Sequence, residues 1–307
     1  MREVLRALFP CYNLSMSITV GQAVLLGILQ GLTEFLPVSS TAHLALAQSL
    51  LPGFAQPGIL FDVLLHVGTL IAVVVYFRER LTMTAVGLVA ADPAEKRGAW
   101  KLVGLLALAV ALTGALALPL KRLAVESMTD YRLIGFSLCG TALLLSAAQA
   151  VGTRRGEAGR SLSEVRFRDA AIVGVCQAAS AVFHGFSRSG NTISVGLFTG
   201  MSRRTAAEFS FLLSIPTILA AAAVENVHAY RHQTGPIAES GAVPAYLAGM
   251  VTAALVGYLA VGVLLRVVLR MRLAPFVVYC GLLGLALIVF GDRLGSGFAG
   301  PAIQPVR

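Results

Sequence analysis

Gln30-Gly31-Leu32-Thr33-Glu34-Phe35-Leu36-Pro37-Val38-Ser39-Ser40-Thr41-Ala42-His43 is a polar stretch set between two apolar arms, and its reading decides the fold. The arm that follows, Ala42 to Leu51, would be about 15 Å long as a helix, half of a bilayer core of about 30 Å. Residues 17–51 therefore read as a re-entrant pair that enters the membrane, breaks near Pro37 and leaves on the side it came from. Irregular backbone at that depth is tolerated only inside protein or beside a wet cavity. A carboxylate, an imidazole and three adjacent hydroxyls there are costly without partners, so the break is a functional site by default.

The rest of the composition agrees with a bilayer. The chain is 57% hydrophobic and 13% charged over 307 residues, with a mean hydropathy of +0.80, more apolar surface than a soluble core can hold. A net charge of +9 would suit nucleic acid, but the 24 Lys and Arg gather in short loops between apolar runs, the pattern that fixes topology. No nucleic-acid partner is expected. Cys11, Cys139, Cys176 and Cys280 are far apart and lack metal or redox spacing, so they read as small hydrophobes.

Spans are expected at 59–77, 102–118, 133–151, 206–224, 245–265 and 273–290, with Leu81 to Ala91 too short to cross and laid in the interface. Asp169 to Met201 repeats the opening pattern of arm, polar break and short arm. At an offset of 147, Gly27 and Gln30 fall on Gly174 and Gln177; at 148, Phe61, Leu64, Leu65, Thr69 and Ala72 fall on Phe209, Leu212, Leu213, Thr217 and Ala220. The fold expected is an all-α integral membrane protein with an inverted-topology repeat, each half a re-entrant helix pair plus three transmembrane helices. Its parts are an N-terminal extension (1–16), a first repeat (17–151), a connector (152–168), a second repeat (169–291, re-entrant over 169–201) and a C-terminal tail (292–307). Tracing the spans puts 15 Lys and Arg on the connector's side and eight on the other, with Arg188 within the membrane. Positive-inside then sets the connector in the cytoplasm and both termini outside.

The second break, Phe183-His184-Gly185-Phe186-Ser187-Arg188-Ser189-Gly190-Asn191-Thr192, supplies a guanidinium among hydroxyls. Ser39, Ser40 and Thr41 in one break and Ser187, Arg188, Ser189 and Gly190 in the other lie just before short helices, where free N-H groups and the helix dipole favour phosphate. Arg188 adds a fork that fits phosphate oxygens. Glu34 would orient a metal ion, pair with Arg188 or accept a proton. His43, one turn beyond Ser40, is spaced to act as base to that hydroxyl or acid to a leaving oxygen. Ser40 activated by His43 is one mechanism and water activated by Glu34 another. Asp62, His66 and Gln177 read as structural.

These residues resemble the undecaprenyl-diphosphate phosphatase family of bacterial membranes, which confers bacitracin resistance. Residues 30–41 match its (E/Q)GLTEFLPxSST signature, with His43 in place, and residues 185–192 match its PGxSRSGxT signature. Glu208-Phe209-Ser210-Phe211-Leu212-Leu213 resembles the EFSFLL run that follows. His184 stands where the family usually has Pro, Ala42 where it has Gly, and Asn191 where a small residue is common. The resemblance covers about residues 17–291. It implies hydrolysis of undecaprenyl diphosphate to the monophosphate carrier and inorganic phosphate, for peptidoglycan and envelope polymers, in the bacterial cytoplasmic (inner) membrane. It also implies a long-chain isoprenoid diphosphate lipid as substrate, a divalent cation (Mg²⁺ or Ca²⁺), and a homodimer. Carried onto this chain, Glu34, Ser40, His43 and Arg188 form the catalytic core; from their place in the two breaks, Gln30, Ser39, Thr41, Ser187, Ser189, Gly190 and Thr192 are expected around the phosphates. The competing class is a polyprenyl-phosphate carrier or flippase, since inverted repeats with broken helices are transporter architecture.

Overall fold

The computed structural model describes residues 18–52, 54, 59–155, 158–231 and 243–295. The expected extension 1–16, Cys11 and the tail beyond residue 295 lie outside the described residues. Among those residues the chain forms α1 (Val20–Phe35), α2 (Ser40–Leu50), α3 (Ile59–Tyr76), α4 (Arg78–Leu88), α5 (Pro93–Ala117), α6 (Lys121–Thr129), α7 (Tyr131–Arg155), α8 (Phe167–Val182), α9 (Arg188–Thr199), α10 (Arg203–Arg231), α11 (Val243–Leu269) and α12 (Ala274–Gly295). Five segments of the described residues are long and apolar enough to cross a membrane: 93–129, 131–155, 203–224, 243–269 and 274–292. A sixth is added if α3 and α4, bent by 73° at Phe77, count as one. This is a multi-pass all-helical membrane protein.

The helix ends follow from local chemistry. Thr19 opens α1 with a capping box: its hydroxyl accepts the Gln22 N-H while the Gln22 side chain reaches back to the Thr19 N-H. Asp92 caps α5 by accepting from the Ala94 and Glu95 N-H groups, with Pro93 at the first helical position. At the far end of α9, Gly200 takes φ +98°, and Arg155 and Arg160 donate to the Leu197 and Thr199 carbonyls, which neutralises the negative helix end.

The short helices pack across the chain. α1 lies along α11, and α8 along α5. A Cβ on Gly27 would come within 2.5 Å of the Gly249 carbonyl oxygen, and one on Gly174 within 2.5 Å of the Ala109 carbonyl oxygen. Both contacts need glycine on the short helix because backbone meets backbone. α3 packs on α11 and α10, α7 on α12, and α9 on α7, α8 and α10. The largest core cluster, which includes Phe35, Phe77, Phe209, Phe211 and Leu213, lies under the two breaks on the α10 side. It joins Phe35 at the end of α1 to Ile193, Val195 and Leu197 of α9.

Candidate active site between the two breaks

In the first break α1 ends at Phe35, Leu36 is extended, and Ser39 turns the chain with φ 69°, a left-handed conformation rare for a residue with a Cβ. α2 begins at Ser40 rather than beyond Thr41, so Ser40, Thr41 and Ala42 make its first turn. In the second break α8 ends at Val182 and the Ser187 hydroxyl accepts the Gly190 N-H at 3.2 Å. That cap starts α9 at Arg188, earlier than the sequence placed it. The breaks touch where Gly190 faces Pro37: a Cβ there would lie 3.1 Å from the proline Cβ.

Glu34 is the hub. It is 7% exposed, and its Oε1 takes the Arg188 Nη2 at 2.5 Å. Its Oε2 accepts the Ser40 hydroxyl at 2.6 Å and the Gln30 amide at 2.9 Å. His66 Nε2 stands 3.7 Å from the same oxygen. Arg188 Nη1 is buried and has no protein partner, as is the Gln30 Oε1. A buried guanidinium nitrogen without a protein partner has the chemistry to donate to an anion.

The remaining hydroxyls divide by task. Ser39 and Thr41 both donate to the His184 carbonyl oxygen, Thr41 at 2.9 Å, which ties the first break to the second. Ser189 donates to the Leu36 carbonyl at 3.2 Å, tying them in reverse. Thr192 bonds the Arg188 carbonyl and the Ser210 hydroxyl, and Asn191 bonds the Cys176 carbonyl and Ser180. These two side chains fix α9 against its neighbours. His184 Nδ1 meets the Ser127 hydroxyl at 2.7 Å, docking α6 on the second break.

His43 is buried, and its partners are the Ser39 carbonyl at Nδ1 and the Tyr279 hydroxyl at Nε2. The hydroxyl of Ser40 goes to Glu34. Tyr279 and the nearness of His66 to Glu34 were missed in the sequence. Tyr279 sits alone in an apolar helix with no motif around it; for His66, a histidine facing inward from a span at the depth of Glu34 was the available signal.

Among the described residues no group of three or more His, Cys, Asp or Glu side chains could hold a metal ion. A hard cation at a phosphate site needs only one or two carboxylates when substrate oxygens complete its shell. Glu34 is the carboxylate at this site, and its two oxygens already receive Arg188, Ser40 and Gln30.

The chain matches the bacitracin resistance protein BacA family over residues 23–286. It is similar to the undecaprenyl-diphosphatase of Syntrophotalea carbinolica, 44% identical over 263 residues that cover 85% of this chain and 95% of that one. It is 40% identical to the undecaprenyl-diphosphatase of Geobacter sulfurreducens, with 87% and 97% covered. With that of Gemmatimonas aurantiaca it shares 41% identity, with 88% and 97% covered. A match running from the first arm through the last span, across both breaks, means that this chain belongs to the bacitracin resistance protein BacA family.

Proposed function

We propose that this protein removes the terminal phosphate of undecaprenyl diphosphate, releasing inorganic phosphate and returning the monophosphate carrier lipid to cell-wall synthesis. The observation that carries the reading is the Ser40 hydroxyl 2.6 Å from Glu34, beside an Arg188 that keeps a buried nitrogen free. Arg188 holds Glu34 with Nη2 and offers Nη1 to the diphosphate, and the first-turn N-H groups of α2 and α9 add donors. The Ser40 oxygen attacks the terminal phosphorus, the anhydride P-O bond breaks, and Glu34 takes the hydroxyl proton. Water then hydrolyses the phosphoserine. A divalent cation held by Glu34 and the diphosphate would neutralise charge on the phosphate oxygens.

Phosphate release by the purified protein in detergent, from undecaprenyl or farnesyl diphosphate with Mg²⁺ or Ca²⁺, tests the reading. Lipid binding without phosphate release would favour the carrier. Trapping with labelled substrate and peptide mapping should find phosphate on Ser40; its absence in a slow His43 variant would favour direct attack by water.

The inverted repeat is supported by the reciprocal packing of α1 on α11 and α8 on α5, with the equivalent glycines Gly27 and Gly174 at the two contacts. In this reading residues 17–51 and 169–201 re-enter from opposite faces of the inner membrane, the connector is cytoplasmic and the termini are outside. With the native cysteines replaced, Ala158→Cys should label only after permeabilisation; labelling of intact cells would overturn the orientation. A homodimer, which the resemblance implies, should show as twice the protomer mass in detergent-corrected light scattering.

A further inference from the structure

The mechanism above leaves one buried polar pair of the site unused. His43 lies one turn along α2 from Ser40, yet Ser40 donates to Glu34. The His43 Nδ1 is 2.7 Å from the Ser39 carbonyl oxygen. A carbonyl only accepts, so Nδ1 carries the proton of the neutral ring. The lone pair then sits on Nε2, and the group facing it at 2.6 Å is the Tyr279 hydroxyl. A phenol donates to such a nitrogen, and when Nε2 is protonated the phenol oxygen accepts instead. The two rings are nearly parallel, 19° apart with centroids 5.6 Å apart.

The wall that carries Tyr279 is fixed to the break itself. The next residue of α12, Cys280, points its sulfur at the Pro37 carbonyl oxygen at 3.5 Å, and α12 is packed along α7. Two consecutive residues of the last helix thus grip the first break, one at its proline and one at its histidine. The other titratable groups of the site stand apart from this pair: Glu34 is bound to Arg188 and Ser40, and His66 faces Glu34.

We propose that Tyr279 is the positioning residue for His43: with the Ser39 carbonyl it fixes the orientation and tautomer of the ring, which holds the first turn of α2, and with it the Ser40 hydroxyl, against Glu34 during diphosphate hydrolysis. Two partners at opposite ring nitrogens define both the rotamer and the tautomer. Tyr279 supports the reaction through His43 and reaches it from the opposite end of the chain.

Because this role presupposes the diphosphatase reading, the first measurement is independent of activity. Histidine-labelled full-length protein in detergent is compared with Tyr279→Phe by imidazole nitrogen resonances, with His43→Ala used for assignment. Phenylalanine keeps the ring that stacks on His43 and removes only the hydroxyl. The expected result is that the His43 Nε2 signal moves to that of an unbonded ring nitrogen; an unchanged signal overturns the proposal. The second measurement is a double-mutant cycle on phosphate release. Tyr279→Phe should lower kcat about tenfold, the worth of one hydrogen bond in a transition state, with KM little changed. In a His43→Ala background the same change should cost nothing further. A full tenfold loss in that background would show that Tyr279 acts elsewhere and would overturn the proposal. A shifted Nε2 signal in a protein that releases no phosphate would instead retire the enzymatic reading and leave the pair standing.

Discussion

The two breaks have the same outline and opposite construction. The second is capped and pinned on all sides: Ser187 caps α9 through Gly190, the Ser187 N-H is taken by Thr141 of the other half at 3.0 Å, and Asn191 and Thr192 pin the helix behind it. The first has no side-chain cap on α2, a serine at φ 69°, and hydroxyls that reach out to His184 and Glu34. A capped helix start presents fixed donors, whereas an uncapped one leaves its hydroxyls to bond elsewhere, here Ser40 with the Glu34 carboxylate. Under the proposed function, this makes the second break the one that grips the phosphates and the first the one that reacts.

The sharpest way to break that division is at Ser40 and Glu34. Ser40→Ala and Glu34→Gln should each reduce phosphate release by about 10²–10⁴-fold, the usual worth of a nucleophile's base. Similar, nearly additive and mild losses would mean that the first break only binds. Arg188 comes next. Its replacement by Ala should cost about one to two powers of ten in kcat/KM, and Lys should rescue little because a point charge cannot span Glu34 and phosphate together. Near-normal turnover in Arg188→Ala would remove the grip from the second break.

Much of this contrast was legible in the chain. The length of the arm after Pro37, the hydroxyls at each break and the lone intramembrane Arg188 all follow from spacing and polarity. What spacing could not supply was partner choice. Ser40 and His43 are one turn apart, but a turn's spacing permits a contact without selecting it: the Ser39 carbonyl and Tyr279 occupy both nitrogens of His43, and Glu34 takes Ser40. Tyr279 contacts residue 43 from 236 positions away, a distance no local pattern reports. The start of α9 was misread by the same cause, since the serine that looked like a ligand for phosphate is the cap.

The smaller effects concern stability. Ser187→Ala removes the cap and should lower unfolding free energy by about 1 kcal/mol with turnover changed less than threefold, roughly half a power of ten, as read by thermal melting and phosphate release. Ser39→Gly relieves the left-handed backbone while losing the bond to His184, two terms of about 1 kcal/mol that oppose. Its melting temperature should stay within a few degrees of the parent while turnover falls. A clear gain in stability at unchanged turnover would show that Ser39 serves neither break.

The packing of α1 against α11 also orders events during synthesis. The glycine face of α1 stays without its partner until about 200 further residues have been made, which at roughly 5–20 residues per second takes on the order of 10–40 s. For that interval α1 has only α2 and α3 of its own half beside it, and its glycine face stays uncovered. A ribosome that pauses between α10 and α11 would prolong the wait, and quality-control proteases would meet this protein first at its own active-site arm.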